Sequence, residues 1–303
     1  MVLMVRVGLI CIVLTTALGS DDINLQLQGN VQASGLGKYL TVINKTEKMV
    51  QEIKDMLLEM ANFTQSILKS MEQLVEALSN RTKDTNDISK TCGGKANDCT
   101  DLKNNNCRDG VYRLNPDGMT AFNAYCDFST DTGGWTVIQR RQNGTTDFYR
   151  SWQDYKDGFG DVDNEYWLGN EKIFQLTSKA QYELRIELQD WNGDKRYAVY
   201  RPFSLSNEAS SYTLSIGSYS GNAGDGLSYN KGHPFSTKDK GTQTACAQTA
   251  VGAWWYDKCS YSNLNGEYLQ GKFYGNNHRG VMWYAWTGFF YSLKSSVMMI
   301  RRY

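Results

Sequence analysis

From Leu36 the apolar residues recur in alternating steps of three and four: Leu36, Tyr39, Ile43, Thr46, Val50, Ile53, Leu57, Met60, Thr64, Ile67, Met71, Leu74 and Leu78. Eleven of these thirteen positions are apolar and the pattern lasts six heptads, which predicts an α-helical coiled coil over residues 36–80. No proline occurs in the segment and no glycine after Gly37, so nothing there breaks a helix. The flanks are apolar too, with Leu40, Leu68 and Val75 at e and Val42, Met49, Met56 and Phe63 at g. A stripe this wide favours a homo-oligomer of three or more strands; the alternative is one amphipathic helix packed on its own globular domain. The polar run beginning at Arg81, with the pair Gly93 and Gly94, reads as a linker over residues 81–97. Past it the pattern changes to short mixed segments punctuated by glycine, such as Gly133-Gly134 ahead of Trp135 to Gln139 and the alternating Leu184 to Leu188. That texture predicts an α+β domain with short strands and long loops over residues 98–303.

Composition sharpens the division. Of the Trp, Tyr and Phe residues only Tyr39 and Phe63 precede residue 99, and all three prolines lie in the second part. The front is therefore a helical stem and the rest a unit large enough for a substantial core. Across 303 residues, 32 Lys+Arg balance 32 Asp+Glu, so the chain lacks the basic excess that nucleic-acid binding needs. Two isolated histidines, His233 and His278, disfavour a histidine-built zinc site or triad. The acids Asp161, Asp163 and Glu165 cluster in a polar loop without a nucleophile, base and orienter, and read as solvated; no enzyme is expected.

Residues 1–20 carry one Arg6, the apolar run Val7 to Leu14, and small residues from Ala17 to Ser20, a signal-peptide layout, with an uncleaved signal anchor as the alternative. No later stretch reaches 18 apolar residues, so the expectation is a secreted, extracellular chain without a membrane span. Losing Cys11 with the signal leaves Cys92, Cys99, Cys107, Cys126, Cys246 and Cys259, an even set that reads as disulfides rather than metal ligands. The sequons Asn44, Asn62, Asn80 and Asn143 fit the same compartment, and the first three fall at solvent-facing b, f and c positions of the stem.

The region from Asp98 to Tyr303 resembles the fibrinogen C-terminal, or fibrinogen-related, family, which includes ficolins, tachylectins, angiopoietins and tenascins. The matching stretches come in the family's order: DCTDL from Asp98, YCDF from Tyr125, GGWTVIQRR from Gly133, DFYRSWQDYKDGFG from Asp147, EYWLGNEKI from Glu165, GAWWYDKC from Gly252, SNLNGEYLQG from Ser262 and the closing YSLKSSVMMIRR. The resemblance implies the fibrinogen C-terminal globular fold, with Cys99 paired to Cys126 and Cys246 to Cys259. Cys92 and Cys107 have no such counterparts, and either pair with each other or link chains. Trp135, Trp152, Trp167, Trp254 and Trp255 read as core and loop-anchoring aromatics.

In sugar-binding members the resemblance implies a calcium loop before the third paired cysteine and an acetyl-group pocket beside it. Asp239 matches the first metal ligand of that loop, but Gly241 stands where a second aspartate is expected, which weakens a calcium site. The implied pocket comprises Tyr256, Lys258, Cys259, Ser260, Asn277 and His278, with Lys258-Cys259 at a position often cis in relatives. Trp255, Asn263, Asn265 and Tyr268 are present as its frame, whereas Ser260, Ala250, Asn277 and His278 alter its lining. Ala250 also removes the aspartate with which fibrinogen holds a peptide knob. The expected function is a secreted multimeric lectin of innate immunity, binding glycans or acetylated groups on microbial or cell surfaces. The alternative is a ligand for a protein receptor, or a matrix protein, of angiopoietin-like or tenascin-like type.

Overall fold

The computed structural model describes residues 33–92, 94–276 and 278–303. The expected signal segment 1–20 and Asn277 lie outside the described residues, as does the Asn80 side chain. Two units are distinguished, one ending at Asn80 and one beginning at Arg81.

Helix α1 spans Ala33–Thr91, 59 residues, or about 90 Å at 1.5 Å per residue. It therefore runs through residues 81–91 of the expected linker. The polar residues there, Arg81, Thr82, Lys83 and Asp84 among them, cost a helix only tenths of a kcal/mol each, ~0.7 at most, and neither proline nor glycine stops the chain before Gly93. Large apolar side chains from Leu40 to Val75 stand 37–68% exposed on the single chain. Thr46 and Thr64, the two polar seam residues, donate their hydroxyls to the Val42 and Met60 carbonyls. Asn44 and Asn62 are exposed.

After α1 comes the single turn α2, Cys99–Leu102, whose N-cap Asp98 accepts from the Thr100 N–H. Three strands follow, β1 Gly110–Leu114, β2 Phe122–Asp127 and β3 Trp135–Arg141. Next come α3 Trp152–Asp157, β4 Phe159–Gly160, β5 Tyr166–Trp167 and α4 Asn170–Thr177. The long strands β6 Tyr182–Gln189, β7 Lys195–Leu205 and β8 Leu214–Gly221 complete one side. Helix α5 Thr244–Thr249, short strands β9 Ser262–Asn263, β10 Gly271–Lys272 and β11 Met282–Trp283, turn α6 Tyr284–Thr287, β12 Tyr291–Ser292 and β13 Ser295–Arg302 finish the chain.

The main sheet is antiparallel in the order β1-β2-β3-β13-β6-β7-β8, with β5 also pairing β3, and β4 pairing β5. Its C-terminal strand sits in the middle, and β3 is buried at every residue. The core continues from the sheet into an aromatic cluster in which Phe235 meets Trp152, Tyr155, Trp167 and Trp255 at centroid separations of 5.2–6.4 Å. Such pairs add about 0.5–1.5 kcal/mol each beyond the area they bury. All five tryptophans assigned to core are buried.

The structure pairs Cys99 with Cys126 and Cys246 with Cys259, and it resolves the open alternative by pairing Cys92 with Cys107 in the same chain. Asp161 and Asp163 are exposed, as a solvated loop requires, but Glu165 is fully buried. Its carboxylate accepts the backbone N–H groups of Gln142, Asn143, Gly144 and Thr146 at 2.7–3.0 Å. Burial alone would raise its pKa, yet these four donors outweigh burial and hold the group below the ordinary glutamate value. Glu165 thereby fixes the loop that displays exposed Asn143.

Candidate functional site

The site region is built from loops, and buried polar side chains hold those loops in place. From β3, Gln139 donates to the Leu264 carbonyl and the Asn265 side chain, while Arg141 donates to the Leu264 and Gly266 carbonyls. Arg141 is almost fully buried, stacks over Phe148 at 3.9 Å, and burial lowers it to about 10, still charged at neutral pH. Asn263 gathers three segments: it accepts from the Tyr256 hydroxyl at 2.9 Å and donates to the carbonyls of Ala250 and His278. Asn265 donates to the Ala253 carbonyl. A buried amide satisfied on both sides is costly to replace, because its orphaned partners cannot reach water.

The residues expected to line a pocket separate by depth. Tyr256 is fully buried, and burial pushes its phenol well above the ordinary value. Ser260 is buried as well, its hydroxyl exchanging hydrogen bonds with Asn230 and the Ser262 backbone. Both shape the surface from behind. Lys258 is exposed and Cys259 half-buried, so these two do reach the surface. Among the described residues the one cis peptide bond is Arg201–Pro202; Lys258–Cys259 is trans, and the chain turns there through Cys259 in the left-handed region at φ 70°. His278 sits edge-on to Phe289 at 5.2 Å. Burial lowers its pKa, opposed in part by the Ser260 backbone, and its Nδ1 is buried without a partner. Ala250 is fully buried and ends α5.

Sequence reading missed the aromatic face beside these residues. Antiparallel β9 and β11 place Trp283 opposite Ser262, and the Tyr284 N–H donates to the Tyr261 carbonyl one step further on. Tyr261 and Tyr284 thus lie side by side, centroids 5.0 Å apart. After α6, Gly288 at φ 78° reverses the chain, a conformation that strains residues with a Cβ. This brings Phe289 back against Tyr284 at 4.2 Å and, stacked, against Tyr261 at 5.8 Å. Tyr229 adds a fourth ring at 4.5 Å from Tyr261, and its hydroxyl faces Asp257. Tyr229, Tyr261 and Tyr284 are 38–44% exposed. Phe289 also borders a groove of about 410 Å³ lined by Lys272, Phe273, Tyr274, Phe290 and Tyr291. No local signal separates such rings from core aromatics; the strand register and the Gly288 turn create the face.

The Asp239 loop offers calcium a single carboxylate, much of it already engaged. The Asp239 Oδ1 already accepts from the Trp152 N–H at 3.0 Å and the Thr237 hydroxyl at 2.7 Å. The carbonyls of Lys238 and Lys240 are also occupied, by Gln248 and Thr237. Gly241 lies at φ 114°, and a Cβ there would approach within 2.5–2.8 Å of Ser236 and the Phe235 carbonyl, so a second carboxylate cannot stand at 241 in this loop. Among the described residues no group of three or more His, Cys, Asp or Glu side chains could hold a metal ion. Likewise no described helix is long and apolar enough to cross a membrane.

Residues 95–303 match the family model for the C-terminal globular domain of fibrinogen beta and gamma chains. The chain is 48% identical over 214 residues to Techylectin-5A of Tachypleus tridentatus, covering 67% of this chain and 73% of that one. It is 38% identical over 289 residues to angiopoietin-related protein 7 of Homo sapiens, covering 89% and 83% respectively. The fibrinogen-like globe domain of human ANGPTL6 superposes with a TM-score of 0.66 at 41% identity, covering 69% of this chain and 96% of that domain. On the family model, the identities and the superposition, the chain belongs to the fibrinogen C-terminal globular domain family and carries a helical segment ahead of that domain.

Proposed function

We propose that the protein is a secreted, multivalent recognition protein of innate immunity whose heads bind glycans on microbial or cell surfaces. The observation that carries this reading is the face formed by the exposed rings of Tyr229, Tyr261 and Tyr284 with half-buried Phe289 packed against them. Exposed rings offer flat apolar faces to the C–H face of a sugar or to an acetyl methyl, while Lys258 and Asp257 at the edge supply polar contacts. Similarity to a protein named as a lectin supports the same class. Single sites of this shallow kind bind weakly, and joining several on one stem raises avidity by about 10²–10⁴-fold.

The stem supplies the means. In a parallel, in-register assembly each g residue faces the e residue five positions later on the neighbouring chain. Phe63 then meets Leu68, Met56 meets Ala61, and no such pair brings like charges together. Glycans on Asn44 and Asn62 would stand clear of that seam. The test is a glycan array and a panel of whole bacteria probed with the full chain. Binding to a defined glycan class, reduced by Tyr261→Ala, is expected; absence of binding to every glycan and microbe rejects the reading.

A second reading, a protein-receptor ligand, is favoured by one observation: the similarity to angiopoietin-related protein 7 covers 89% of this chain and so includes much of the stem. Saturable cell-surface binding that free sugars do not compete would select it.

A further inference from the structure

The loop between Phe235 and Cys246, where the sequence resemblance implied a calcium ion, carries two ammonium groups, those of Lys238 and Lys240. Lys238 reaches back to the Tyr149 carbonyl at 2.7 Å and lies 4.3 Å from the centre of the Tyr149 ring. Lys240 lies 4.5 Å over the Trp152 ring and 3.5 Å from the Glu208 carboxylate. Glu208 also accepts from Lys156 at 2.6 Å and from the Trp152 indole at 2.9 Å. Its pKa is lowered to about 2, first by the Lys156 hydrogen bond and then by the indole donor. Between the two lysines, Asp239 accepts the backbone N–H of Trp152, the first residue of α3.

Three consecutive side chains therefore fasten one loop to α3 and the residues just before it. The same loop leads directly into α5, whose Cys246 holds Cys259 beside the aromatic face. Cations placed here do part of what a bound metal ion does for such a loop: Lys240 faces the Glu208 carboxylate, and both lysines draw the loop to the segment of Tyr149 and Trp152. They also repel a second cation.

We propose that Lys238 and Lys240 are the built-in cations of this loop, so that the head folds and holds its recognition loops without calcium. This inference concerns the folded head and stands whichever ligand the head binds.

The test uses the full chain, followed by differential scanning fluorimetry in about 5 mM calcium chloride and in EDTA. A site of the extracellular calcium class would raise Tm by about 5 °C under these conditions. The expected result is the same Tm in both buffers, within about 1 °C. Lys240→Met, which keeps the stem over Trp152 but removes the charge, is expected to lower Tm by about 2–4 °C in both. Terbium, a calcium surrogate that Trp152 would sensitise, is expected to give no saturable emission. A saturable rise of Tm with calcium, saturable terbium emission, or an unchanged Tm in Lys240→Met overturns the proposal. Should the methionine variant fail to fold, Lys240→Arg decides: wild-type Tm with no calcium response supports the built-in cation, and a loss of Tm that calcium restores overturns it.

Discussion

The stem and the head handle apolar residues in opposite ways. In the stem, side chains such as Phe63, Leu68 and Leu74 stand 54–68% exposed at heptad spacing, and nothing within that helix can cover them. In the head, Trp167, Trp254, Trp255 and Trp283 are at most 1% exposed within one chain. The head is completed by its own chain, whereas the proposed multivalent assembly would complete the stem, so changes in one should leave the other intact.

The largest effect is expected from breaking the seam. Ile53→Lys with Ile67→Lys should turn the assembly into monomers at micromolar concentration in light scattering, while the melting transition of the head stays where it was. The mirror experiment is Trp255→Ala, which should cost the head about 3–5 kcal/mol in denaturant unfolding without changing the assembly state. Glu165→Gln comes next. It places an amide against four N–H donors and should cost about 1–3 kcal/mol. The lowered pKa of Glu165 sets the sign of the pH effect. Its contribution is complete above the unfolded glutamate value of about 4.3 and disappears as pH falls through the lower folded value, so the variant and wild type should converge in acid. Smallest in stability is Tyr261→Ala, expected to change Tm by less than about 2 °C yet to weaken glycan binding several-fold, since this ring is partly exposed.

The two regions were also legible to different degrees. The stem announced itself because a 3.5-residue period survives without any tertiary context. Its continuation from Arg81 to Thr91 was hidden, because polar residues remove the apolar stripe without removing helical geometry. In the head, ordered motifs disclosed the family and two disulfide pairs, whereas spacing alone left Cys92 and Cys107 open until the fold placed their Cα atoms 5.6 Å apart. The site was readable as a neighbourhood but not in depth: Tyr256 and Ser260 fall in the right loops yet point into the interior. Tyr261, Tyr284 and Phe289 went unread because they are 23 and five residues apart along the chain, and only the β9–β11 register and the turn at Gly288 bring them together. Gly241 could be seen to lack a carboxylate; that the loop has no room for one required its backbone.

The central claim, that a self-contained recognition head gains its strength from an associating stem, is tested most directly on a surface coated with the glycan selected by the array. Dissociation constants of the full chain and the Ile53→Lys, Ile67→Lys chain would be measured there side by side. The account predicts binding by the intact chain and a loss of about 10² or more in apparent affinity for the stem variant, with its head still folded. Equal affinity of the two proteins, or no binding by either, would contradict it.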